Sequence, residues 1–124
     1  TEHKSGEASM HGYMNQDALK LTVETTDACD RRRSRKALWH KGRTSGFVQK
    51  VLDIRIDDDQ DALWMTVDIG DGASCHVGYK SCFYRSIPLG TIKNPEEVKL
   101  EFKEKDKKFD PKKVYKGQPN PTKL

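Results

Sequence analysis

FVQKVLDIRIDDDQDALWMTVDI, Phe47–Ile69, consists of two apolar runs split by an acidic one. Both flanks, Phe47–Ile56 and Ala62–Ile69, are rich in branched and aromatic residues with partial alternation, the pattern of half-buried strands. Gly70–Gly72 supplies a turn after the second run, and SCHVGYKSCFYRSI, Ser74–Ile87, follows as a third strand. Three strands in succession predict a small antiparallel sheet.

Upstream, Asn15 is an N-cap for a helix over Gln16–Thr25, in which Leu19 and Val23 fall four apart and face a core. Thr1–Ser9 is polar and without period, which predicts a frayed, flexible segment. Beyond Pro88 the pattern fades apart from a short strand at Val98–Phe102, and Phe109–Leu124, with three prolines, reads as an extended tail. A chain of 124 residues makes one α+β domain with one or two short helices. The expected limits are a flexible 1–9, a domain over 10–104 and a lysine-rich tail over 105–124.

Hydrophobic and charged residues each make up 34%, so the core is thin. The formal charge of +4 comes from the tail, since Lys99–Leu124 holds nine lysines against four acids. A nucleic-acid face needs a basic patch on the folded body, so this distribution argues against one. There is no apolar stretch that reads as a signal peptide or membrane span. Three cysteines are an odd number; they point to a reducing, cytoplasmic setting and to metal or catalytic use rather than disulfides.

Within an extended strand Asp57, Asp59 and Asp61 share one face, with Asp58 and Gln60 on the other. Three carboxylates repel one another unless a cation neutralises them, and oxygen donors suit magnesium (Mg2+), which keeps waters and bridges to phosphates. An acidic strand end in water is the plainer alternative. Cys75 and His76 point to opposite faces of a strand, whereas Gly78 lets the chain turn so that Cys75 and Cys82 meet. Two thiolates are good ligands for zinc (Zn2+), whose catalytic sites take three protein ligands and a water. His76 is then left to move protons; two inert buried thiols and a structural histidine are the alternative. Arg33 and Arg35, two apart, point the same way in an extended chain, as a phosphate clamp requires. The loop LWHKGRTSGFV, Leu38–Val48, sets Lys41, Thr44 and Ser45 among glycines where backbone amides approach an anion.

The order of these features resembles the phosphoribosyl-AMP cyclohydrolase family of histidine biosynthesis: SRKALWHKGRTSG (Ser34–Gly46), DDDQDAL (Asp57–Leu63) and SCHVGYKSCFYR (Ser74–Arg85). YMNQDALKLTVET (Tyr13–Thr25) matches its first helix, and the resemblance covers Met10–Ile87. It implies a metal-dependent hydrolase that adds water to the adenine ring of a phosphorylated nucleotide, opening the N1–C6 bond. It also implies zinc on Cys75 and Cys82, magnesium on Asp57, Asp59 and Asp61, and His76 as proton carrier. Arg33, Arg35, Trp39, Lys41, Thr44 and Ser45 would bind substrate, in a homodimer with its metal sites at the subunit interface.

Three departures accompany the match. Asp58 stands where the family usually has a cysteine that gives zinc a third ligand from the partner subunit; Cys29, His11 and His40 are the other candidates. The strand that usually precedes the helix is not matched by the polar residues ahead of Met10, and CDRRR (Cys29–Arg33) replaces an apolar segment. Two rivals therefore stand beside the enzyme: a diverged relative binding a purine- or pterin-like heterocycle without turnover, and a polyanion-binding module working through the tail.

Overall fold

A computed structural model describes residues 1–32, 37–43, 46–90, 94–114 and 116. Helix α1 spans Gln16–Thr25, as the sequence predicts, because Asn15 Oδ1 accepts from the Ala18 amide at 2.9 Å and Thr26, at φ 57°, turns the chain out. Its inward face differs from the expected one. Ala18 and Thr22 are buried while Val23 is 60% exposed and Leu19 half-buried. Thr22 sets this face: its Oγ1 donates to Ala18 O at 2.8 Å and accepts from the Cys29 amide at 3.0 Å, binding α1 to the next element.

That element is β1, Cys29–Arg32, paired antiparallel with β2, Ala37–His40, from Cys29↔His40 to Arg32↔Ala37. The basic run thus begins as a strand, which charge alone does not signal. The two runs first quoted form β3, Lys50–Ile56, and β4, Leu63–Asp68, antiparallel from Lys50↔Asp68 to Ile56↔Leu63 with a bulge between Val51 and Asp53.

Two expectations are corrected. Residues 74–84 form a turning loop instead of a third strand, and only β5, Arg85–Ser86, pairs, with β6, Glu101–Phe102. Among the described residues there are consequently three two-stranded ladders and no single sheet. Thr1–His3, at the start of the segment 1–9 where fraying was expected, run parallel along the free edge of β4, with His3 N donating to Val67 O at 3.0 Å and Val67 N to Thr1 O at 2.9 Å. Main-chain pairing of this kind requires no hydrophobic period. The buried Glu2 carboxylate closes the following turn by accepting from Lys4 N, Ser5 N and Ser5 Oγ.

The main buried cluster is small: Cys75, Val77, Tyr79 and Tyr84, with the two tyrosine rings stacked at 4.1 Å. Leu52, Trp64 and Phe102 remain more than half exposed, so much apolar surface is left over in one copy of the chain. Further on, a 3-10 turn spans Pro95–Glu97 and α2 spans Pro111–Val114, with Phe109 stacked on Phe47 at 5.2 Å. No helix among the described residues is long and apolar enough to cross a membrane.

Candidate metal centre

The β3–β4 connection folds as a tight turn. Asp57 N donates to Ala62 O and Gln60 N to Asp57 O, both at 3.1 Å, with Gln60 at φ 62°. Asp57 Oδ1 accepts from the amides of Ala62 and Asp61 at 3.0 and 3.1 Å. These hydrogen bonds, Ala62 foremost, hold the Asp57 carboxyl below its ordinary range. Oxygens of Asp57, Asp59 and Asp61 come within 4.8 Å of one another, and all three residues are exposed. The turn rather than strand alternation gathers them, yet the donor set is the oxygen set anticipated for a hard cation.

The thiol pair is built differently. Ser74 N donates to Lys80 O at 2.9 Å, Cys75 N to Tyr79 O at 3.2 Å and Gly78 N to Cys75 O at 3.0 Å, so the chain curls back within seven residues. Gly78 sits at φ 107°, and a Cβ there would run into the carbonyl oxygen of Phe109. The curl brings the Cys75 and Cys82 thiols into hydrogen-bond contact. That contact lowers the Cys75 thiol to about 6 and pushes Cys82 well above its usual value. Lys41 favours the ionised thiols and Glu104 opposes them. Since residues 74–84 are no strand, alternation does not separate Cys75 from His76; His76 lies half-buried in the turn between Cys75 and Gly78.

Lys41, expected to reach a substrate phosphate, is 6% exposed and donates from Nζ to Ser74 O at 2.7 Å. Gln49 Nε2 donates to Ser74 Oγ at 2.8 Å, so two buried side chains grip the residue next to Cys75. Nothing in the sequence singled out Ser74, Gln49 or Glu104, because a polar residue in or beside a strand pattern reads only as alternation. Trp39 is half-buried in β2. Arg33, Arg35, Thr44 and Ser45 lie outside the described residues.

The third-ligand candidates sit apart from the thiols. Cys29 is buried beneath α1, where burial raises its thiol pKa; His40 Nε2 pairs with Asp27 Oδ2 at 3.2 Å; His11 is exposed, its ring 6.3 Å from that of Phe83. Asp58 is exposed in the turn. Among the described residues no third His, Cys, Asp or Glu ligand atom lies within 4.8 Å of both sulfurs. The thiol loop is tied to Gln49, ahead of β3, whereas Asp58 follows its far end, a separation on the order of 20 Å at strand rise. A groove of about 850 Å³ is lined by Leu19, Ile56, Leu63, Met65 and Val67, together with Asp61 of the hairpin turn and Lys41, which bonds to the thiol loop.

A hairpin with oxygen donors at its tip and a thiol pair at its base defines a small α+β protein with the donors for two unlike cations. A family model described as phosphoribosyl-AMP cyclohydrolase matches residues 10–84. The chain is 47% identical over 118 residues to the phosphoribosyl-AMP cyclohydrolase of Nitrobacter winogradskyi, covering 95% of this chain and 79% of that one. It is likewise 47% identical over 115 residues to those of Rhodopseudomonas palustris (strain TIE-1) and Nitrobacter hamburgensis, covering 93% of this chain and 74% and 76% of theirs. The chain belongs to the phosphoribosyl-AMP cyclohydrolase family.

Proposed function

We propose that the chain is a phosphoribosyl-AMP cyclohydrolase of histidine biosynthesis, acting as a homodimer in which each site combines the thiols of one copy with the hairpin tip of the other. The observation that carries this is the separation itself: Cys75 and Cys82 are in contact, while Asp58, at the position of the family's usual third ligand, stands at the opposite end of the hairpin. A second copy would bring Asp58 to the thiols, and with it Asp57, Asp59 and Asp61. The leftover apolar surface supports the same reading. Leu52 and Trp64 are exposed, and the groove is lined by aliphatic side chains that a second hairpin would cover.

Cys75 and Cys82 with Asp58 of the second copy would hold zinc, and Asp57, Asp59 and Asp61 would hold magnesium. Bound zinc supplies Lewis acidity that makes water a usable nucleophile at neutral pH. In the reaction the oxygen of water bonds to C6 of the purine, the N1–C6 bond breaks and a proton arrives at N1. His76 takes the proton from water and delivers it to the ring nitrogen. Arg33, Arg35, Trp39, Thr44 and Ser45 would bind the nucleotide, while Lys41 both lines the groove and steadies the thiol loop.

The test is ring opening of phosphoribosyl-AMP with and without added zinc, on this chain and on Asp58→Cys. Turnover that depends on zinc is expected, with zinc bound at least as tightly by Asp58→Cys because thiolate is the softer ligand. No ring opening by zinc-replete protein would sink the proposal; tight binding of the nucleotide without turnover would instead identify a diverged heterocycle-binding relative. A clear loss of zinc affinity in Asp58→Cys would remove Asp58 from the site.

A further inference from the structure

The match to the family model ends at residue 84, yet a segment well beyond it closes over the thiol loop. Glu104 Oε1 accepts from Lys80 N at 2.9 Å and Oε2 from Ser81 N at 3.0 Å, so one carboxylate holds two successive amides directly ahead of Cys82. Lys108 N donates to Gly78 O at 2.6 Å, between the two cysteines, and Lys103 N donates to Tyr84 O at 2.7 Å, just past them. Lys107 Nζ lies 5.7 Å over the Tyr79 ring, and Phe109 stacks on Phe47. The close fit of Gly78 against the Phe109 carbonyl leaves no room for a side chain there. Residues 103–109 therefore run along the loop as a strap, contacting it at intervals of a few residues, although their lysines and missing hydrophobic period place most of them in the solvated tail.

We propose that Glu104 is a positioning residue for Cys82 and that the strap is part of the metal centre, fixing how far apart the two thiols sit. The inference rests on the zinc reading above and extends it to a segment beyond the residues that the family model matches. Two consecutive N–H groups pointing the same way form a concavity for an anion, and a carboxylate fills it with charge-assisted bonds. By charge alone Glu104 disfavours ionised thiols beside it. Its contribution is accordingly geometric: with Lys80 and Ser81 held, the entry of the chain into Cys82 has one direction. Partners that orient ligands from behind in this way matter to metal affinity nearly as much as the ligands do.

The experiment compares full-length wild type, Glu104→Ala and Glu104→Gln, all metal-free at the start. In amide hydrogen exchange, Lys80 and Ser81 are expected to lose protection by about tenfold or more in Glu104→Ala while α1 is unchanged. In a cobalt(II) titration followed by thiolate-to-cobalt charge transfer, with zinc as competitor, affinity should fall about tenfold to a hundredfold. Glu104→Gln, which keeps one acceptor oxygen, should recover part of both. Unchanged exchange and unchanged cobalt affinity in Glu104→Ala overturn the proposal; if that variant does not fold, the same two null results in Glu104→Gln overturn it. Wild type that takes no cobalt at its thiols refutes the zinc reading, while the exchange rates still decide whether the strap orders the loop.

Discussion

Ser74→Ala tests whether the grip behind Cys75 holds the base of the site. Ser74 and Gln49 are 1% and 3% exposed, and Gln49 Nε2 donates to Ser74 Oγ at 2.8 Å. Alanine removes the acceptor and leaves a buried amide donor without it, which costs about 1–3 kcal/mol, more than the net worth of the bond itself. The Lys41 bond to the Ser74 carbonyl is a main-chain contact and survives, so the loss should stay near 2 kcal/mol. For a chain of 124 residues that is a fall in Tm of roughly 6–10 °C. The assay is urea unfolding followed by circular dichroism at one fixed protein concentration, since association would add its own term. The midpoint should drop with the slope unchanged. Gln49→Leu combined with Ser74→Ala removes both polar partners, and the double variant should lose less than the two singles added, by about 1 kcal/mol. A Ser74→Ala protein within about 0.5 kcal/mol of wild type, or strictly additive losses, would refute the reasoning.

Three further outcomes follow from the same geometry. Mixing a Cys75→Ser/Cys82→Ser chain with an Asp57→Ala/Asp59→Ala chain, each inactive alone, should restore about one quarter of wild-type turnover, because half of the dimers then hold one site with both halves intact; no recovery after co-refolding would show that a single chain carries the whole site. Thr22→Val strands the buried Cys29 amide and should lose about 2 kcal/mol in the same unfolding assay, with Thr22→Ser losing about half as much. The Glu2 carboxyl is lowered from 4.5 to about 2, chiefly by accepting from the Ser5 and Lys4 amides. A lowered folded value gives stability that is full above the unfolded pKa and lost on acidification. The Tm advantage of wild type over Glu2→Gln should therefore be complete above about pH 5 and close between pH 4.5 and 2; a gap independent of pH would contradict it.

The extent of the exposed apolar surface also bears on how so small a core suffices. Four residues make up the main buried cluster, and three of them, Cys75, Val77 and Tyr79, belong to the Cys75–Cys82 loop. The thiol loop and the core are thus partly the same residues, and changes at Val77 or Tyr84 should be felt at the thiols.

Sequence by itself determined what is local or periodic. Helix α1 follows from Asn15 reaching three residues ahead to Ala18, and the β3–β4 hairpin from two alternating runs either side of a polar turn. It also supplied the donor inventory, three carboxylates and two thiols. Tertiary structure alone decided where these groups stand. Thr22 turned α1 a notch round because Cys29, seven residues on, needed a hydrogen-bond acceptor. Thr1–His3 became an edge partner of β4 through main-chain bonds to which side-chain pattern is blind. The stretch that reads as a third strand curled into a loop, and Glu104, twenty-two residues beyond Cys82 in sequence, came to hold its approach. Hydrogen bonds between distant segments leave no period in either segment, since each donor or acceptor is satisfied only when the other arrives. For that reason the donor groups were readable from composition and order, and their arrangement was not.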